Sequence, residues 1–199
     1  LGVANIEFLQ ADLLDLGRLS RRFDVIESVG VLHHLADPMA GWRVLCGLLE
    51  PGGYMKIGLY SERARRAVVA ARALVAERGF EPTSEGLRAA RTALLALPPD
   101  DPARGVVASG DFYTAAGVRD LIFHVQEHRY TLEQIAAMID ELGLEPLGFV
   151  VDEALRRAYL RDTPEDPEGA SLAGWARFEA QHPATFGEMY QLWLRPAAA

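Results

Sequence analysis

The sequence predicts an α/β fold, and three observations point to it. Short β-rich apolar runs recur at residues 6–10, 23–29 and 54–60, each the length of a strand and too short for a stable helix. Between the second and third, Met39, Trp42, Val44, Leu45, Leu48 and Leu49 recur at helical spacing. A strand, a helix and a second strand in that order suit parallel neighbours, which need a crossover to bring the chain back to the same end of the sheet. The third observation is composition: 199 residues, half of them hydrophobic, suffice to bury a sizeable core.

Taken in order, the strand at 6–10 leads into the acidic turn Ala11-Asp12-Leu13-Leu14-Asp15-Leu16. The strand at 23–29 (FDVIESV) opens into Gly30-Val31-Leu32-His33-His34-Leu35-Ala36-Asp37-Pro38, and Glu50-Pro51-Gly52-Gly53 stops the helix that follows. Beyond Ser61 the composition turns Ala/Leu/Arg-rich, with helical patterns at 63–78 and 84–97 separated by Gly79-Phe80-Glu81-Pro82 and closed by Pro98-Pro99. A short helix is expected at 118–124. Thr131 is placed to cap a helix over 131–142, whose apolar stripe is Leu132, Ile135, Ala136, Met138, Ile139 and Leu142. A strand at 144–151, a helix at 171–182 and a strand at 186–194 complete the chain, with a loose, charged link at 162–167. Residues 1–61 and 131–199 read as one unit, interrupted by a helical insertion or lid at 62–130.

Several functional classes are disfavoured. No run of about eighteen apolar residues occurs, so no membrane span is expected. A lone cysteine, Cys46, cannot form an internal disulfide or a cysteine zinc site. A net charge of -8 repels phosphate backbones, and the Arg-rich stretch at 63–78 reads as the solvated face of a helix. The first five residues lack the basic start and apolar core of a secretion signal and have no initiator Met, so the chain reads as part of a longer cytoplasmic protein.

The ordered series from Ile6 to Tyr60 (strand, acidic turn, strand, Leu-His-His-Leu loop, helix, Glu-Pro-Gly-Gly, strand) resembles the second half of a class I S-adenosylmethionine-dependent methyltransferase domain, a Rossmann-like fold. The resemblance implies S-adenosylmethionine as cofactor. It implies that the Asp12 carboxylate and the Leu13 amide meet the adenine, that Ser28, Val29 and Gly30 lie beside the methionine half, and that His33 is just beyond. Asp111-Phe112-Tyr113 and the stretch from Arg119 to Tyr130 resemble C-terminal regions of bacterial methyltransferases with upstream tetratricopeptide repeats. The sequence departs from the family at its start: the Gly-x-Gly loop and the acid-ended second strand are not present. The family sheet order, 3-2-1-4-5-7-6, would lose strands 1 and 2, leaving the strand at 6–10 unpaired or beside 23–29. Weak cofactor affinity and little activity are expected of the chain alone.

The connector from Phe123 to Tyr130 concentrates two His, a Glu, a Gln and an Arg. His124 and His128 would share a helix face if the helix continued, and histidine exchanges protons near neutral pH, so both are candidate catalytic bases. Tyr113 is a candidate for orienting substrate. The alternative is that the connector residues hydrogen-bond the insertion to the main unit, and that Phe112 and Tyr113 anchor a loop, which is the commoner role of an aromatic pair after a glycine. His33 and His34, adjacent on one loop with no carboxylate pair at ligand spacing, do not read as a metal site. Trp175, Phe178, Tyr190 and Trp193 read as core or interface. Two functions remain: methyl transfer to an acceptor, small molecule or protein, or a non-catalytic interaction module presenting residues 63–97.

Overall fold

The computed structural model describes residues 4–124 and 126–197. Its centre is a mixed sheet of four strands among the described residues, β1 (Phe23–Val29), β2 (Leu49–Tyr60), β3 (Leu144–Phe149) and β4 (Met189–Pro196), in the order β1-β2-β4-β3. β1 and β2 are parallel; β4 runs antiparallel to both β2 and β3. With β1 and β2 taken as the family's strands 4 and 5, this is the series 4-5-7-6. The crossover between the parallel strands is α1 (Pro38–Leu48), whose start is capped by the Asp37 side chain accepting from the Ala40 amide and whose first position is held by Pro38.

The strand expected at residues 6–10 does not form. Ile6, Phe8 and Leu9 are exposed, and β1 has no strand on its outer edge among the described residues, so nothing pairs with the 6–10 backbone. The helix ends at Leu48, just before Glu50-Pro51-Gly52-Gly53 as expected, but these four residues belong to the following strand rather than preceding it. β2 starts directly after α1, and its register against β1 jumps from Phe23↔Leu49 to Val25↔Tyr54, so the extra residues bulge out at Gly52 (φ 85).

Strand alternation sorts the sheet. Met55, Ile57 and Leu59 of β2 and Tyr190, Leu192 and Leu194 of β4 point into a core shared with Trp42 and Leu45 of α1, Ile135 and Ile139 of α5 (Leu132–Glu141), and Trp175 and Phe178 of α7 (Leu172–Gln181). Val25, Val29 and Tyr54, one position out of phase, remain exposed. A second core is assembled wholly from residues 68–122: Val68, Ala71 and Val75 of α2 (Arg66–Glu77), Leu87, Ala90 and Leu94 of α3 (Ser84–Leu95), Phe112, and Val118, Leu121 and Ile122 of α4 (Ala115–Phe123).

A further helix, α6 (Glu153–Asp162), has no counterpart in the sequence reading. The link after it is not loose. Asp166 accepts hydrogen bonds from the Tyr159 hydroxyl at 2.6 Å and the Ser171 amide at 2.9 Å, while the Tyr159 ring stacks on Trp175 with centroids 3.8 Å apart.

Candidate functional site at the ends of the parallel strands

The carboxyl ends of β1 and β2 lie side by side, which is where ligands collect in open α/β sheets. β1 passes into Gly30, whose φ of 77° suits glycine, and then into a single 3-10 turn, Leu32–His34. β2 ends at Tyr60 and continues through Ser61 to Arg65. The chain returning from the insertion comes back to the same place. The His128 amide donates to the His33 carbonyl at 2.8 Å, the Tyr130 amide to the Tyr60 carbonyl at 2.9 Å, and the Glu62 amide to the Tyr130 carbonyl at 2.9 Å. His34 Nδ1 lies 3.1 Å from the Gln126 carbonyl. A carbonyl only accepts, so Nδ1 carries a proton and, in the neutral ring, Nε2 presents a lone pair.

Between these contacts sits Glu127, its side chain 1% exposed. Arg65 grips both carboxylate oxygens, Nε at 3.2 Å and Nη2 at 2.6 Å, and Arg72 Nη2 adds a third bond at 2.8 Å. Arg129 stands 3.6 Å away. Burial opposes the charge on Glu127, but the bonds and charges of Arg65 and Arg72 outweigh it and hold the group below the usual carboxylate range. The Arg65 guanidinium also lies 4.0 Å from the Tyr60 ring centroid, and that ring is 3.9 Å from His33.

His33 is fully buried. Neither of its ring nitrogens closes a hydrogen bond, although the Gly58 backbone lies close enough to favour the charged form slightly. Burial, and then the neighbouring His34, lower its pKa to about 4. The imidazole is therefore neutral at physiological pH. Ser28, on the core side of β1, is likewise buried with an unpartnered Oγ.

The remaining predicted residues are placed as follows. Asp12 is exposed, and one of its carboxylate oxygens caps the 3-10 turn Leu13–Arg18 by accepting from the Leu14 amide at 2.9 Å. Leu13 opens that turn, so its amide has no partner within it, and its side chain packs against the main core. Val29 and Gly30 are at the strand end, with open space around Gly30. His124 and His128 do not share a helix face, because α4 ends at Phe123 and His124 is already extended (ψ 135°). The Gln126 carbonyl and the His128 amide instead pair with the 33–34 turn. The His124 ring lies 4.3 Å from His34 and its Nε2 3.9 Å from Asp120. His128 stacks loosely on Tyr130, with a buried, unpartnered Nε2. The Tyr113 hydroxyl donates to the Val107 carbonyl at 3.0 Å.

Two groups escaped sequence reasoning. Arg65 and Arg72 are not solvated; they turn inward to Glu127, and their spacing of seven, two helical turns, is the signal that could have placed them on one face. Glu179 of α7 is buried, accepts from the Tyr190 hydroxyl at 3.0 Å and lies 3.3 Å from Ser61 Oγ. Burial raises its pKa despite the Tyr190 bond. In sequence it was one more charge on an amphipathic helix.

No cluster of three or more His, Cys, Asp or Glu side chains suited to a metal occurs among the described residues, and no helix is long and apolar enough to cross a membrane. A cleft of about 470 Å³ lies elsewhere, lined by Val25, Tyr54, Phe149, Arg156, Trp175 and Trp193.

Residues 1–57 match the methyltransferase domain family. An uncharacterized protein of Synechococcus sp. is 34% identical over 189 residues, covering 89% of this chain and 45% of its own length. Two solved structures of PKMT2 from Rickettsia typhi, one in complex with AdoHcy, superpose with TM-scores of 0.67 and 0.66 at 15% and 13% identity. They cover 92% and 95% of this chain but 37% and 38% of theirs. The chain thus spans less than half the length of these relatives. It shares the Rossmann-like α/β fold of the Rickettsia protein, and its first 57 residues match a methyltransferase domain in sequence pattern.

Proposed function

We propose that this chain forms part of an S-adenosylmethionine-dependent methyltransferase and carries one side of its cofactor and acceptor site. The supporting observation is the set of buried, unpartnered polar atoms, Ser28 Oγ and both His33 ring nitrogens, at or just after the end of β1. The match of the first 57 residues to methyltransferase domains covers this same segment. Buried polar atoms without partners are uncommon, and a polar ligand at the strand end would answer them. Asp12 fits as well, because capping uses one oxygen and leaves the second exposed for an amino donor.

S-adenosylmethionine, when bound, supplies a methyl group activated by its sulfonium. The chain's own residues would hold and align. Asp12 and the Leu13 amide take the adenine edge, while Ser28, Val29, Gly30 and the His33 turn border the methionine portion. Alignment is most of what methyl transfer needs, and an oxygen or nitrogen acceptor also needs a group to receive its proton. His124, beside Asp120 and His34, and His128 are the candidates for that base, with Tyr113 the candidate for orienting the acceptor.

Calorimetric titration of S-adenosylhomocysteine into this chain and into a form extended upstream tests the reading. The extended form is expected to bind, and Asp12→Ala to weaken binding by about tenfold or more, the scale of a lost charged hydrogen bond. No binding by either form would sink the enzyme reading and favour an interaction module.

A further inference from the structure

The contacts around Glu127 form a continuous series that ends at the His33–His34 turn. Its carboxylate accepts both bonds of the Arg65 fork. Arg65, itself buried, covers the Tyr60 ring, and Tyr60 packs on His33. The residues on either side of Glu127 then reach the same turn through their backbone: Gln126 by its carbonyl to His34, His128 by its amide to the His33 carbonyl. Arg72, from α2, binds the same carboxylate and also donates to the Leu121 carbonyl of α4. One buried carboxylate therefore ties α2, α4, the end of β2 and the turn after β1 together.

We propose that Glu127 is a positioning residue: through Arg65 and Tyr60 it fixes the His33–His34 turn at the carboxyl end of β1, and so sets the shape of the candidate site from the far side of the insertion. Calling that turn part of a methyltransferase site rests on the function proposed above; the positioning itself does not. A planar guanidinium gripping two oxygens has one orientation, which a lysine or a neutral partner cannot reproduce. Three guanidiniums surround this carboxylate, so its loss would leave buried positive charges facing one another and push the insertion and the turn apart.

The charged and titratable groups around the turn are His34, His124 and Asp120, Tyr60, Arg65 with Glu188, and Glu127 with Arg129. They give the test a sign. In the native chain Glu127 nudges His33 toward the charged form, and burial suppresses it. If Glu127 acts by charge alone, Glu127→Gln lowers the His33 pKa below its native value of about 4. If it positions the turn, the variant lets water reach His33 and the pKa climbs toward the free value of about 6.5.

Histidine ring NMR on the whole 199-residue chain reads this directly, together with hydrogen exchange of the His128 amide. Arg65→Met is the companion variant, since it leaves Glu127 neutralised by Arg72 and Arg129 while breaking the path through Tyr60. Both variants are expected to speed His128 exchange by about tenfold or more and lose the His34 Nδ1 proton signal, and Glu127→Gln to raise the His33 pKa; in Arg65→Met the lost guanidinium charge alone lifts that pKa, so exchange and the Nδ1 proton are its readouts. A lowered or unchanged His33 pKa in Glu127→Gln, or native His128 protection in either variant, overturns the proposal. Neither readout requires cofactor, so its failure is distinct from failure of the methyltransferase reading.

Discussion

His33 shows how far a residue's chemistry departs from its sequence appearance. In the sequence it was one of two adjacent histidines on a loop with a cofactor contact implied by resemblance. In the structure it is enclosed by Tyr60 and His34, and burial has lowered its pKa to about 4. Below about pH 6.5 the unfolded chain takes up a proton that the folded chain refuses until about pH 4. His33 therefore leaves stability untouched above about pH 6.5 and subtracts increasingly as pH falls, reaching on the order of 3 kcal/mol near pH 4. Urea unfolding followed from neutral pH downward should show that slope, and His33→Phe, which cannot take up the proton, should flatten it. An equal slope in the variant would place the proton uptake elsewhere. Ser28 and Gly30 stand at the end of a strand the sequence showed, whereas Asp12 was placed by a strand that does not form and instead caps a 3-10 turn. The partners of His33 were not legible, since Tyr60, Arg65 and Glu127 are joined only by the folded path of the insertion.

At the level of elements, periodicity was enough wherever a segment packs by its own apolar stripe. α5 begins at the predicted cap, with the Thr131 hydroxyl oxygen accepting from the Gln134 amide and the Gln134 side-chain oxygen accepting from the Thr131 amide. β1 matches its apolar run residue for residue. Legibility failed where an element depends on something outside itself. The 6–10 segment has strand composition but no neighbour to pair with, and α6 is so polar that only buried Tyr159 betrays it. The 162–167 link read as loose because its residues favour turns, yet Asp166 draws the Tyr159 hydroxyl and the Ser171 amide together beneath the Trp175 stack. Asp166→Ala should leave those donors without their acceptor and cost about 2–4 kcal/mol in denaturant unfolding, more than a surface carboxylate would. A loss under about 0.5 kcal/mol would mean the link does not organise α6 and α7.

Across the whole molecule, two cores share one chain: the sheet with its helices, and the 68–122 helical cluster. They meet around Glu127 and the ends of the parallel strands, so the site proposed for methyl transfer lies where two separately built bodies of side chains touch. That arrangement explains why the connector at 126–130 is so polar: it carries the charges and backbone groups that join them. The sequence separated the insertion from the sheet by composition but could not show that the insertion's Arg residues turn back toward the sheet. The outer edge of β1 is unpaired among the described residues, with Val25 and Val29 of that strand exposed, and it is at this edge that the cofactor reading looks for further strands. The most direct measurement is therefore a map of backbone NMR shifts as S-adenosylhomocysteine is added to an upstream-extended form. The account predicts changes concentrated at residues 12–13 and 28–33, saturating together. Changes confined to the cleft of Tyr54, Phe149 and Trp193, or no saturable change at the end of β1, would contradict it.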